Sequence, residues 1–233
     1  MIIQGLSDTH GQHQTYDRYI QEGSLLFLLG DFDCDSPESL RKFIEWVKKQ
    51  ALKQKLGVVI IGGNHDTELE KNGHELQTLE YWKQKIFYLN NDFLDLDGLK
   101  IFGSPNVEVL SKGGNPKYLA FADLFSELSK TYSKIPEDLD FLLTHTPPRN
   151  TLDGYFGSTA LANKVANLKL KPKLHLFGHC HEKFGHEYKD NIHYFNVACN
   201  GSFDKGPYLP TIIDYDTFHR QLIAYGQYEM DIT

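Results

Sequence analysis

The 233-residue sequence predicts an α/β fold built on a mixed sheet, or on two sheets packed face to face. Three observations carry that expectation. Five short aliphatic runs each end in polar, metal-ligating side chains; helical segments lie between them; and antiparallel pieces accompany the alternation. Such runs, rich in Leu, Ile, Val and Phe, suit strands buried on both faces.

Taken in order, MIIQGLSDTH passes from apolar residues into Asp8 and His10, and SLLFLLGD into Asp31. Residues 36–55 then read as a helix, with Ser36 at the N-cap, Pro37 at the first position and Leu40, Phe43, Ile44 and Val47 at helical spacing. The lysines from Lys48 to Lys55 form its solvated face. LGVVIIGGNHD ends in Asn64, His65 and Asp66, and residues 74–85 read as a second helix. Asp97–Gly98 suits a two-residue primed turn, so residues 93–105 read as a hairpin. Helices are expected at 117–133 and from Ser158, on either side of LDFLLTHTPP, which ends in His145. PKLHLFGHCH ends in His179 and His181, and the tail after Pro210 reads as a second hairpin. No linker, repeat or low-complexity stretch interrupts the pattern, so one domain is expected over residues 1–233.

Composition narrows the function classes. A net charge of −7 argues against a broad nucleic-acid surface. Three cysteines without framework spacing indicate a reducing compartment, and the N-terminus lacks the basic start of a signal peptide. No run approaches the roughly 20 apolar residues of a membrane span. A cytoplasmic protein acting on a small molecule is expected; its oligomeric state is left open.

In open α/β sheets the ligand crevice lies beyond the carboxyl ends of the strands, so all five polar endings can converge. On an extended chain residues i and i+2 share a side, which would pair Asp8 with His10 and His179 with His181, leaving Cys180 facing away. The candidate ligands Asp8, His10, Asp31, Asn64, His145, His179 and His181 are all oxygen or imidazole donors. That set suits Mn²⁺, Fe, Zn²⁺ or Ni²⁺ in open geometry better than a closed thiolate cage. It is too large for one ion with an open position and sufficient for two divalent ions if one carboxylate bridges. Two such ions would leave positive charge to attract a phosphate.

SDTH, LLGD, GGNHD, LLTHTPP and FGHCH, in this order between residues 8 and 181, resemble the calcineurin-like metallophosphoesterase superfamily. The Pro-Pro after the fourth motif and the KLHLFGHCHE of the last resemble its small metallophosphoesterase-domain branch. The resemblance implies a four-layer αββα sandwich with two mixed sheets and a dinuclear metal site at the C-terminal ends of the strands. It implies Asp8, His10, Asp31 and His181 on one metal, and Asn64, His145 and His179 on the other, with Asp31 bridging. A metal-bridging hydroxide would attack phosphorus, with Mn²⁺ the expected metal. His65 would stabilise charge or protonate the leaving oxygen, Asp66 would orient His65 by a hydrogen bond, and Asn64 and His65 would contact substrate. Apart from the resemblance, Arg149 just after Thr-Pro-Pro reads either as a bidentate clamp on a substrate phosphate or as a surface arginine. One departure stands out: GDFDCDS places Cys34 where related sequences often carry aspartate, with Asp33 and Asp35 beside it, and lacks the Arg-Gly of phosphoprotein phosphatases.

The expected function is a metal-dependent phosphodiesterase or phosphatase acting on a small organic phosphate such as a nucleotide. The alternatives are a non-catalytic metal-binding scaffold for protein–protein interaction and a phosphoprotein phosphatase. His175, His186 and His193 fit no motif and are read as structural, and Cys34 and Cys180 as small buried groups.

Overall fold

The computed structural model describes residues 1–109, 115, 119–201 and 207–227. The first strands are β1 (Ile2–Leu6), β2 (Gly23–Leu29), β3 (Gln54–Ile61), β4 (Ile86–Tyr88), β5 (Asp92–Leu96), β6 (Leu99–Ser104) and β7 (Val107–Glu108). They are followed by β8 (Ala122–Asp123), β9 (Phe141–Thr144), β10 (Leu174–Phe177), β11 (Gly185–Lys189), β12 (Ile192–Asn196), β13 (Thr211–Asp216) and β14 (Gln221–Gln227). The helices are α1 (Pro37–Ala51), α2 (Thr67–Asn72), α3 (Leu79–Lys83), α4 (Phe125–Tyr132) and α5 (Thr159–Asn167).

Two six-stranded mixed sheets result, ordered β14-β13-β1-β2-β3-β4 and β11-β12-β10-β9-β6-β5. The pairs β1/β2, β2/β3 and β3/β4 are parallel in the first sheet, and β6/β9, β9/β10 and β10/β12 in the second. Strand alternation explains the layering. Leu25, Phe27, Leu29, Val59 and Ile61 point into the core between the sheets, with Ile101, Phe141, Leu143, Leu174 and Leu176 opposite. Their neighbours Leu26, Leu28, Val58 and Ile60 pack outward with Phe43, Trp46 and Val47 of α1. On the far side, Leu142 and Phe177 pack with Leu128 and Tyr132 of α4 and Leu161 and Val165 of α5. The architecture is the expected αββα sandwich.

Several local expectations are met. The Ser36 hydroxyl accepts from the Ser39 N–H at 3.2 Å, and Pro37 opens α1. Asp97 and Gly98, with φ of 52° and 83°, turn the chain between the antiparallel strands β5 and β6. The tail hairpin is β13–β14.

Three helix boundaries are corrected. The helix expected to reach Lys55 stops at Ala51, because Gln54 enters β3 and donates to the Gln21 carbonyl at 2.9 Å. Lys53 and Lys55 therefore lie off the helix. The helix expected over 74–85 breaks into a 3-10 turn (Gly73–Leu76) and the short α3, which buries no side chain. Gln77 between them donates to Asp92 Oδ2 at 2.8 Å, a tie to the sheet that an uninterrupted helix would forgo. Of the helix expected over 117–133 only Phe125–Tyr132 is helical, and 117–118 lie outside the described residues. Ala122–Asp123 pair with β7 instead, and Phe121 docks its N–H on Glu70 at 2.6 Å.

Candidate metal centre

The five motifs leave the C-terminal ends of β1, β2, β3, β9 and β10 on the same edge of the sandwich. The two sheets are stitched together there. Ser7 forms an isolated bridge to Ala198, and the His145 Nδ1–H donates to the Leu29 carbonyl at 2.8 Å. That second bond fixes the imidazole tautomer and turns Nε2 toward the crevice.

The ligand-bearing turns are strained. Asp8, His10, Asp31, Asp33 and His179 have φ of 56°, 43°, 57°, 59° and 68°. Each such left-handed residue costs on the order of 1–3 kcal/mol and persists only where its surroundings over-determine it. Here they do: the Asp8 N–H donates to Gly30 O at 2.9 Å, the His10 N–H to Asp31 O at 3.0 Å, and the His179 N–H to Asp8 Oδ2 at 2.9 Å. Gly178 permits the last contact, since a Cβ there would lie 2.2 Å from Asp8 Oδ2.

The side chains gather into overlapping groups whose candidate ligand atoms lie within 4.8 Å of one another: Asp8, His10 and His181; Asp31, His145 and His179; and His10, Asp31 and His65 between them. Asn64 joins the second group, its Oδ1 3.2 Å from His145 Nε2. Asp8 and His10 therefore converge, but through a left-handed turn rather than along an extended strand. The shared face expected of His179 and His181 is not found. The positive φ of His179 and the 3-10 turn starting at His181 send the two rings to different groups. Cys180 does face away, donating its Sγ–H to Asp153 O at 2.8 Å.

The donor set fits two divalent cations. Asp33 Oδ1 takes up His10 Nδ1 at 3.0 Å, which leaves His10 Nε2 facing His181 Nε2 at 3.3 Å, with Asp8 Oδ1 at 3.2 Å from the latter. Two imidazole nitrogens converging on a buried carboxylate could hold a cation between them. Asp31, buried beside His145 Nε2 at 3.3 Å and joined to the group containing His10, is placed to serve both.

Electrostatics of the metal-free chain agree. Burial works against charge on His145, yet Asp31 raises it to about 10. Burial likewise opposes charge on His10, and the bond to Asp33 with the neighbouring aspartates raises it to about 9. Burial and His145 push His179 down to about 4, and the surrounding histidines hold Asp31 well below the carboxylate range against its own burial. At neutral pH His10 and His145 are thus protonated and must lose those protons to bind metal. Both raised values stabilise the metal-free fold at low pH, a contribution lost as pH rises through about 9 and 10. Metal affinity runs the other way. The combined affinity for two Mn²⁺ is expected to rise about 100-fold per pH unit from pH 7 toward pH 8.5, one factor of ten per released proton. Calorimetric titration in buffers of differing ionisation enthalpy counts those protons; an affinity independent of pH across that range would contradict the assignment.

Two expected roles are redistributed. Asp66 is fully buried, and its carboxylate accepts the N–H groups of Asp31 (2.8 Å), Phe32 (2.9 Å), Cys34 (3.0 Å) and Gly63 (2.9 Å). It thereby clamps the loops after β2 and β3 together. The carboxylate beside the His65 ring is instead Asp33, whose Oδ1 lies 3.4 Å from His65 Nδ1 while also holding His10. Sequence reasoning missed Asp33; the only signal was the density of acids in GDFDCD. Arg149 Nη1 donates to the Tyr155 carbonyl and its Nε lies 3.8 Å from Asp153, so the guanidinium serves its own loop. His175 is buried against Thr144 Oγ1 at 2.9 Å, and His186 and His193 pair with each other at 3.1 Å, outside the candidate groups.

Comparison with known proteins bears on family and fold. The family model described as calcineurin-like phosphoesterase matches residues 2–183. Probable rhamnogalacturonate lyase C of Emericella nidulans is 35% identical over 78% of this chain, which spans only 17% of that protein's length. Human metallophosphoesterase domain-containing protein 1 is 26% identical, the match covering 89% of this chain and 68% of the human one. Among solved structures, TT1561 of Thermus thermophilus superposes with a TM-score of 0.66 at 14% identity, covering 97% of this chain and 98% of that one, a likeness of fold.

Proposed function

The chain belongs to the calcineurin-like phosphoesterase family, and from that premise we propose that it hydrolyses a mono- or diester of a small organic phosphate with two divalent ions bound. The observation that carries the reading is a chain of three candidate groups, Asp8–His10–His181, His10–Asp31–His65 and Asp31–His145–His179, joined through His10 and Asp31. Asp8, His10 and His181 would hold one ion and Asn64, His145 and His179 the other, with Asp31 shared; Mn²⁺ is the expected metal, and Fe, Zn²⁺ or Ni²⁺ suit the same donors. When bound, the ions would neutralise phosphoryl charge and acidify water.

The chain's own residues do the rest. Hydrolysis puts the oxygen of water on phosphorus and releases the ester oxygen with a proton. His65, a quarter exposed, has Nε2 4.0 Å from Asp31 Oδ2, close enough to reach a phosphoryl or leaving oxygen above that carboxylate. Asp33 against Nδ1 orients the ring, so that Nε2 can hand over the proton. The strained turns keep the ligands pre-set, so little reorganisation is needed on binding.

Hydrolysis of bis-p-nitrophenyl phosphate and p-nitrophenyl phosphate with Mn²⁺ tests the reading. Wild type is expected to be active only with metal, and His65→Ala to lose about 10²- to 10⁴-fold in kcat while keeping its metal. Metal-loaded wild type inert toward both esters and toward nucleotides would point to the scaffold alternative.

A further inference from the structure

We propose that Tyr155 and Phe156 form an aromatic rim that selects phosphate esters of planar aromatic groups; the proposal rests on the hydrolase reading above. The two residues are consecutive, and both rings stand in water, 85% and 62% exposed. Their loop starts four residues after the ligand His145 and closes on itself. The Arg149 N–H donates to Ser158 O at 2.9 Å, and the Ser158 N–H to Pro147 O at 2.8 Å.

Hydrogen bonds fix the backbone of the loop that carries those rings. Arg149 grips the Tyr155 carbonyl, and the Phe156 N–H donates to Asp153 O at 2.7 Å. Cys180, between the ligands His179 and His181, ties its Sγ to the Asp153 carbonyl at 2.8 Å. Asn196 Nδ2 bridges the carbonyls of Leu152 (3.3 Å) and Cys180 (2.8 Å). The loop therefore moves with the last ligand turn. Leu152 and Tyr155 are also held at φ of 45° and 75°, a conformation that bulky side chains avoid and that concentrates at binding sites.

The position of the rim identifies its occupant. The Phe156 ring meets the His179 ring edge to face, at 6.4 Å between centroids and 90° between planes. An ester group leaving the candidate ligands on the His179 side would meet the Phe156 ring, with Tyr155 the next residue on the same loop. Exposed rings on a loop with a fixed backbone favour a flat aromatic partner such as a phenyl ring or a nucleobase, because stacking recovers the exposed faces without reordering the backbone. An alkyl ester offers no face to stack.

Phosphonates, whose P–C bond is not hydrolysed, read this preference without turnover. Mn²⁺-loaded wild type is expected to bind phenylphosphonate at least about tenfold more tightly than methylphosphonate, the scale of one stacked ring. Tyr155→Asn/Phe156→Ala, in which Asn accepts the left-handed backbone, is expected to bring that ratio close to one with an unchanged circular dichroism spectrum and melting curve. The kcat/KM ratio of phenyl phosphate to methyl phosphate should fall by the same factor. A wild type without preference, or binding neither phosphonate, or a preference that survives the double substitution, would overturn the rim. A wild type that prefers phenylphosphonate yet hydrolyses no ester would sink the hydrolase reading and leave the rim standing.

Discussion

Asp31→Asn is expected to remove ester hydrolysis almost completely, by on the order of a thousandfold or more, with the fold retained. Asp31 is the carboxylate placed between the two ligand groups, 3.3 Å from His145 Nε2 on one side and grouped with His10 and His65 on the other. Its Oδ1 also accepts the His65 N–H at 2.9 Å. Asn preserves the shape but removes the charge that two cations would share, and it places an amide N–H₂ where a lone pair is needed. Losing several kcal/mol of charge stabilisation at a reacting phosphoryl group corresponds to that factor. A variant retaining a tenth or more of wild-type kcat/KM with saturating Mn²⁺ would show that Asp31 is not shared.

The second large effect falls on stability. Asp66→Ala strips the acceptor from four backbone N–H groups at once, in a place water does not reach. Burial and the nearby charge of Asp31 already push this carboxyl up to about 7, while the N–H groups of Cys34 and Gly63 pull the other way. Each orphaned buried donor costs about 1–3 kcal/mol, so a loss of roughly 4 kcal/mol or more is expected even with relaxation. That is a large share of the roughly 5–15 kcal/mol that holds a domain together. The melting temperature, measured without metal so that lost ligation does not confound it, should fall by about 10 °C or more. Asp66→Asn should lie between the two, because one oxygen can still accept while its N–H₂ opposes the other donors. A melt for Asp66→Ala close to wild type would remove the clamp from the account.

These expectations rest on a site whose address, though not its wiring, was legible in the sequence. Apolar runs ending in polar residues located Asp8, Asp31, Asn64, His145 and His179, because strands buried on both faces leave a continuous aliphatic signature and parallel order brings their ends together. Alternation then misled for His179 and His181. It assumes an extended chain, and a positive φ at His179 redirects the ring in a way that no residue pattern announces. The same blindness hid Asp33 and gave Asp66 the wrong partner: both act through contacts across more than twenty residues of sequence, with His10 and with the loop after β2. Away from the site, Gly185–Lys189 was not foreseen as a strand because it is a half-exposed edge with no aliphatic run. The 117–133 helix was over-extended because the pairing of Ala122–Asp123 with Val107–Glu108 leaves no local trace.

Electron paramagnetic resonance during Mn²⁺ titration most directly tests the claim that two ligand groups share Asp31. Two ions bridged by one carboxylate are expected to give the spectrum of an exchange-coupled pair, saturating at two equivalents and absent in Asp31→Asn. A spectrum of isolated Mn²⁺ ions at saturation, or binding that stops at one equivalent, would contradict it.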